Sequence, residues 1–461
     1  MSPTGAIARH ARGESPSPTL TFLRAARVVA FLGYCALCLW TMSRLGVGPM
    51  DGGPDEAMRA LLPQAMINGN LLPSGHDPEV IYGLGNWSYA FYPQMLGAYL
   101  SAIFMKAAQL MGLAHGAVFM SGRLASLVFG LVSIGCVSGA AGTAAERAGG
   151  GEGLGALARL ISTSMLAFWP QFSFLSSYMN NDIVAFCGCS VIVYALCLGM
   201  GSGWNYRRSA LLGAGVTVAA LGYWNAYGFV LLGIVLYLYS CVTQRPLQGT
   251  RPRLVALAAG IPAVCVLPFF AVNLVRYHDL LGIGAFKAEY QRWLDGGGEV
   301  LQVPYEQGAR SLLLDTDWTL LTLRSFVGFL GYMSIPLPFT LVALILGTAL
   351  LGLGAFLGRH DEFLRSRRAR VLALGCALAS ATCVALSVYY STRTDLQPQG
   401  RYVIYCLLPL VVASSVGLAT LVRRATPRQV AATAACCALL ACVTVWFFAS
   451  SAARYGWAGV A

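Results

Sequence analysis

The sequence predicts an all-α, polytopic membrane protein, and three observations carry that expectation. Of its 461 residues, 57% are hydrophobic and only 11% charged, against roughly a quarter charged in an ordinary soluble domain. The apolar residues fall into runs of about 20, the length a helix needs to cross ~30 Å of hydrocarbon at a rise of ~1.5 Å per residue. The basic residues, almost all arginine, sit in short clusters between those runs. The formal charge of +12 therefore orients helices and does not point to a nucleic-acid partner.

In chain order, residues 1–21 form a polar, Pro- and Ser-bearing tail, expected to be cytoplasmic and disordered, and the first apolar run acts as a signal anchor. A single transmembrane domain is expected over 22–450, with about 11–13 helices. Its apolar segments lie at about 22–46, 89–113, 117–140, 155–176, 181–200, 209–225, 226–243, 254–276, 336–358, 370–390, 401–422 and 429–450. A short tail, 451–461, follows. Arginine clusters at Arg9/Arg12/Arg24/Arg27, Arg207/Arg208, Arg245/Arg251/Arg253, Arg359/Arg365/Arg367/Arg368/Arg370 and Arg423/Arg424/Arg428 belong on the cytoplasmic side. External loops then fall at 47–88 and 277–335, the second long enough for interfacial helices and a lid. Three full crossings between these loops' Asp55 and the later Asp182 would separate the two residues. Segment 89–113, with Tyr89, Tyr92, Pro93, Gln94, Lys106 and Gln109, is the one expected not to cross, which leaves Arg123 at the outer end of its helix.

Charge is scarce in this chain, so its placement is informative. MDGGPDEAMR, residues 50–59, follows the first apolar run with Asp51, Asp55, Glu56 and Arg59. Carboxylates just outside a lipid-spanning helix can accept a proton, bind a cation or orient a polar substrate. The alternative is a turn broken by Gly52, Gly53 and Pro54, with the acids capping the next helix. Asn180/Asn181/Asp182, Trp224/Asn225/Tyr227 and Gln399/Gly400/Arg401 lie at other external ends, and the four clusters are expected to face one another. Arg401 at the lip of a helix can fork two hydrogen bonds to a phosphate, or simply snorkel to the interface.

Other chemistry finds little support. The fourteen cysteines lie in or beside apolar runs and read as small buried hydrophobes, Cys35-x-x-Cys38 included. No P-loop, G-x-G-x-x-G or G-x-S-x-G is present. His76 and His278 stand beside acids without metal-site spacing, and an external carboxylate pair can still take Mg²⁺ or Mn²⁺. No cofactor is required otherwise.

Four further stretches accompany PDEAMR: NGNLLP, AFWPQFSFLSSYMNND, LRSFVGFLGYMSIPLP and QPQGRYVIYCLLP. Together, over Asp51 to Pro409, they resemble the bacterial membrane family catalogued as domain of unknown function 2142, which is grouped with the GT-C glycosyltransferases. The resemblance implies a GT-C-like helical bundle in the bacterial plasma membrane, N-terminus cytoplasmic. Such an enzyme moves a sugar from a polyprenyl-phosphate donor to an envelope glycan, lipid or protein outside the cytoplasm. It implies Asp55 and Glu56 as the acidic, catalytic positions of the first loop, and Asp182 as the second-loop acid. Arg123 then opens the following helix set. The relatives carry a Lys near the turn that here reads Trp224–Asn225.

The residues fit that chemistry. Asp55 can serve as base for an acceptor hydroxyl, while Arg401 with Arg123 or Lys287 stabilises the departing phosphate. Asp182, Asn181, Trp224, Asn225 and Tyr227 are expected to contact substrate. Inverting single displacement is the expected stereochemistry. A transporter or flippase of a lipid-linked precursor should show inverted repeats and broken helices in both halves, and neither is visible. A non-catalytic envelope-assembly scaffold explains the hydrophobicity but not the convergent external groups.

Overall fold

The computed structural model describes residues 17–244, 250–422 and 426–460. Arg9, Arg12, Arg245, Arg423 and Arg424, and most of the expected tail 1–21, lie outside the described residues. The first helix, α1 (Pro18–Arg44), starts where Ser17 accepts the Leu20 N–H and Pro18 takes the first helical position, where a missing N–H costs nothing. After the opening loop come α2 (Glu56–Ile67), α3 (Leu96–Leu110), α4 (His115–Gly122), α5 (Leu124–Ala145) and α6 (Gly151–Ala167). Then follow α7 (Pro170–Leu175), α8 (Asp182–Ser202), α9 (Tyr206–Ala220), α10 (Tyr227–Thr243) and α11 (Arg251–Tyr277). The long loop holds α12 (Ile283–Asp295), α13 (Gly308–Leu314), α14 (Trp318–Val327) and a two-residue hairpin, β1 (Phe329–Leu330) against β2 (Ile335–Pro336). The chain closes with α15 (Phe339–Leu357), α16 (His360–Phe363), α17 (Arg367–Arg393), α18 (Leu407–Leu421) and α19 (Pro427–Tyr455).

Nine stretches among the described residues are long and apolar enough to cross a membrane. One of them, His115–Ala167, holds both α5 and α6, which reverse direction at Glu146–Gly150. The 15-residue α9, between α8 and α10, is shorter than these stretches. Helix α8 is the centre of the bundle, with 89% of its apolar window buried. It packs on α5 to one side and α9 to the other; α6, α18, α15, α1 and α19 build outward from α5, α11 packs on α9, and α10 lies between α8 and α17. By contrast α11, α17 and α19 bury under a quarter of their apolar windows and turn Leu, Val and aromatic side chains outward, as a surface solvated by acyl chains should.

Among the described residues, segment 89–113 holds no helix long and apolar enough to cross a membrane. Tyr89–Phe91 forms a 3-10 turn, and Pro93 holds the chain extended before α3, whose 15 residues pack on α2 and α4. Segment 155–176 breaks at Phe168–Trp169, where Pro170 opens a second short helix. The 401–422 segment starts as a 3-10 turn over Gly400–Cys406. Helix α9 packs chiefly on α8 and α11, and α10 on α17 and α8, so the expected 209–243 hairpin is splayed. The terminal residues are also more ordered than a tail: α19 runs to Tyr455, Trp457 Nε1 donates to Met50 O at 3.1 Å and Gly459 N to Arg44 O at 3.0 Å.

Candidate active site

The opening loop is shaped by its own residues. Asp51 Oδ1 accepts the Gly48 N–H at 2.9 Å, and Gly53 lies so close to Tyr178 that a Cβ would stand 2.2 Å from its ring. Asp55 then adopts the left-handed conformation, φ 63°, at the start of α2, which costs a non-glycine residue on the order of 1 kcal/mol. Its side chain makes no cap hydrogen bond, so the capping alternative does not describe it. Arg401 Nη2 instead donates to Asp55 Oδ2 at 2.9 Å across 346 residues of sequence.

Arg401 is placed by the glycine before it. A Cβ on Gly400 would sit 2.0 Å from the Phe326 nitrogen, and the Gly400 N–H donates to Ser325 Oγ at 2.6 Å. Only glycine lets the 3-10 turn lie this close to α14. The guanidinium carbon lies 5.1 Å from the Tyr402 ring centroid, and Arg401 Nε and Nη1 are buried without a hydrogen-bond partner. Arg59, four residues after Asp55 and so on the same face of α2, lies 4.0 Å from the Tyr89 ring centroid, its Nε also unpartnered. Three buried nitrogens on two cations thus lack acceptors, an arrangement costly to leave unfilled and matched to an anion.

The electrostatics follow from this packing. Burial pushes the Asp55 carboxyl upward, but Arg401 and Arg59 outweigh it and hold it below the ordinary carboxylate value. The side chain keeps a quarter of its surface open to the cavity, so it stays ionised without being sealed off. Burial pulls Arg59 down, and Tyr89 and Asp55 more than restore it. Burial raises Tyr89, Tyr92 and Tyr223, which therefore stay neutral.

Glu56 and Arg123 go elsewhere, which corrects the expectation that they act on substrate. Arg123 Nε and Nη2 donate to Glu56 Oε1 and Oε2 at 2.8 and 2.7 Å, and the remaining donors reach Met42 O, Leu45 O and Gly46 O at 2.7–2.8 Å. Glu56 Oε1 also accepts the Met179 N–H at 2.9 Å. Both side chains are 0% exposed. The pair staples the end of α1, the start of α2, the start of α5 and the 178–182 loop, and has nothing left for a ligand.

A cavity of about 940 Å³ opens above Asp55. Asn181, Trp224, Asn225, Tyr227 and Lys287 line it; Lys287 is exposed and forms no ion pair or hydrogen bond with Asp55 or Arg401, so the donor-phosphate role expected of it from sequence is left to Arg401 and Arg59. Tyr227 OH accepts from Gln94 Nε2 and donates to Ala220 O, both at 3.0 Å, so it is a fixed wall. Trp224 packs edge-on to Tyr92 at 5.0 Å. Asp182 is set back: it is 1% exposed at the first position of α8, with Oδ1 unpartnered, and acts on Arg59 through its charge. Tyr89, Tyr92, Tyr223 and Tyr402 complete the wall and were not singled out by sequence. Arg59 had a readable signal in its spacing from Asp55; the tyrosines had none.

Asp55 and Asp182 stand among two guanidiniums, and among the described residues no three His, Cys, Asp or Glu side chains gather. His76 Nδ1 pairs with Glu289 Oε1 at 2.8 Å, and His278 closes the end of α11.

No protein-family model matches the chain, and no curated protein matches it in sequence. Among solved structures it is similar to ArnT from Cupriavidus metallidurans bound to undecaprenyl phosphate, with a TM-score of 0.51 at 18% identity over 88% of this chain and 62% of that one. It is also similar to the archaeal oligosaccharyltransferase AglB from Archaeoglobus fulgidus in complex with an inhibitory peptide and a dolichol-phosphate, with a TM-score of 0.55 at 16% identity over 95% of this chain and 56% of that one. The chain thus spans about three-fifths of the length of the structures it matches. At these identities the likeness is one of fold: the chain is an all-α, multi-pass membrane protein that shares the helical architecture of these structures.

Proposed function

We propose that the chain is a membrane glycosyltransferase that moves a sugar from a polyprenyl-phosphate donor to a cell-envelope acceptor on the external face. The observation that carries this reading is the pair at the cavity floor: an ionised Asp55 held 2.9 Å from Arg401, with unpartnered N–H groups on Arg401 and Arg59 beside it. A lipid-linked phosphate supplies the missing acceptors, and the fold's solved relatives were captured with undecaprenyl phosphate and a dolichol-phosphate. The bilayer delivers such a donor laterally.

In the transfer step the acceptor oxygen attacks the anomeric carbon, its proton passes to Asp55, and the carbon–oxygen bond to phosphate breaks with both electrons leaving on the phosphate. Arg401 and Arg59 stabilise the charge that develops there. Asp55 gripped by two arginines is a weak base. The incoming phosphate takes Arg401 donors for itself, loosens that grip and raises the basicity of Asp55 once the donor is in place. Asp182 adds negative charge behind the arginine pair, and Asn181, Trp224 and Asn225 contact the sugar.

The test is transfer by purified protein, offered radiolabelled polyprenyl-phosphate sugars and envelope acceptors. Wild type should transfer, and Asp55→Asn should lose about 10²–10⁴-fold in rate while still binding polyprenyl phosphate. Wild-type turnover by that variant would remove the base. Orientation has its own check, with Cys265, Cys436 and Cys442, the exposed cysteines, first replaced. A cysteine at exposed Asn68 should react with an impermeant thiol reagent on intact cells, and labelling only after lysis contradicts an external site.

A further inference from the structure

We propose that the mouth of the cavity holds a second anion subsite, formed by Lys287 and Arg393, for a carboxylate or phosphate carried by one of the two substrates. The inference rests on the proposed function in placing the donor phosphate at Arg401. The cavity has two tiers of positive charge. At the floor, Arg59 and Arg401 are 7% and 5% exposed and face Asp55. At the mouth, Lys287 on α12 and Arg393 at the end of α17 line the same cavity but are exposed. Among the described residues neither mouth side chain has a hydrogen bond or ion pair.

The two mouth cations do not sit on independent loops. The extended stretch 301–305 ties their elements together: Leu301 N–H donates to Tyr290 OH of α12 at 2.7 Å, and Tyr305 N–H to Ser391 O of α17 at 2.9 Å. Val303 N–H donates to Asp395 Oδ1 at 3.1 Å, and Leu396 N–H to Val303 O at 2.9 Å. Asp395 Oδ2 takes the Gln397 side chain as well, so the acid nearest Arg393 in sequence is spent on the frame. Asp55, the other carboxylate lining the cavity, is spent on Arg401. One phosphate at the floor therefore leaves the mouth with two cations against the single Asp395 carboxylate, on a frame that ties their elements together. An arginine fork and an ammonium lining one cavity suit a planar or tetrahedral oxyanion. Two sources are chemically equivalent: an acidic group on the acceptor, or a second phosphate on the donor.

The full-length protein, purified in nanodiscs, distinguishes them by binding. The probes are trigalacturonate against neutral maltotriose, and decaprenyl diphosphate against decaprenyl monophosphate. Wild type should prefer the acidic glycan by about tenfold, and the double variant Lys287→Gln/Arg393→Gln should erase that preference while leaving monophosphate affinity unchanged. Because both side chains are exposed, the double variant keeps its fold. An equal preference for the diphosphate, erased by the same variant, upholds the subsite and assigns the anion to the donor. Equal binding of both glycans and both lipids, or a preference that survives the double variant, overturns the proposal and leaves Arg393 as a headgroup anchor. If the monophosphate fails to bind wild type while the glycan preference stands, the subsite survives and the proposed donor falls.

Discussion

Asp55 and Glu56 are neighbours in sequence, and each meets an arginine from far along the chain, yet the two pairs do opposite things. Arg123 and Glu56 are fully enclosed and every strong donor and acceptor is matched. Arg401 and Asp55 face a cavity, and the arginine keeps two N–H groups without acceptors. A saturated ion pair can only hold structure together; an unsaturated one beside open space can bind and react. The contrast teaches that chemistry here is read from unmet hydrogen-bonding capacity and not from the presence of charge.

Breaking the saturated pair should have the largest effect on the fold. Arg123→Ala strands a buried carboxylate and should lower stability by about 3–5 kcal/mol, seen as a loss of monodisperse protein and of its thermal unfolding midpoint. A variant that folds normally but fails to transfer would place Arg123 back among the substrate-binding residues. Smaller, and confined to function, is Arg401→Lys, which keeps the charge and loses the fork. It should weaken use of the donor by ~1.5–3 kcal/mol and leave acceptor KM unchanged; steady-state kinetics with each substrate varied separately decides, and a rise in acceptor KM alone contradicts the assignment.

The smallest effect is on pH dependence. With Asp55 held below the ordinary carboxylate value, its charge is present above that value and lost only as pH falls through the depressed one. The acid limb of kcat/KM should therefore lie below about pH 4. Arg59→Gln removes one of the two cations that oppose burial, so the limb should move to higher pH, with kcat at neutral pH lowered as well by the loss of a cation from the departing phosphate. A limb that stays in place in Arg59→Gln shows that another group titrates.

Much of the fold was legible because lipid imposes length: eight of the twelve expected apolar segments appear as single helices within about five residues, 117–140, 155–176 and 401–422 each divide in two, and the polar 89–113 segment was expected to stay out. Parity of the crossings then brought Asp55, Asn181, Trp224 and Arg401 to one end. What the sequence hid was which of two adjacent acids faces the cavity. That depends on the left-handed turn at Asp55 and on how α2 sits against α5, both fixed by contacts with Tyr178, Met179 and Gly46 far away in sequence. The tyrosine wall was equally hidden, since tyrosine near a membrane interface is common and only packing separates a cavity lining from an interfacial anchor.

The contrast between the two pairs is tested most directly by measuring Asp55→Asn and Glu56→Gln side by side, recording the thermal unfolding midpoint and the transfer rate per folded molecule. Asp55→Asn should unfold at the wild-type temperature and transfer almost nothing, and Glu56→Gln should unfold several degrees lower while its folded fraction transfers at near wild-type rate. The reverse pattern, a stable but inactive Glu56→Gln beside an active Asp55→Asn, would contradict the account.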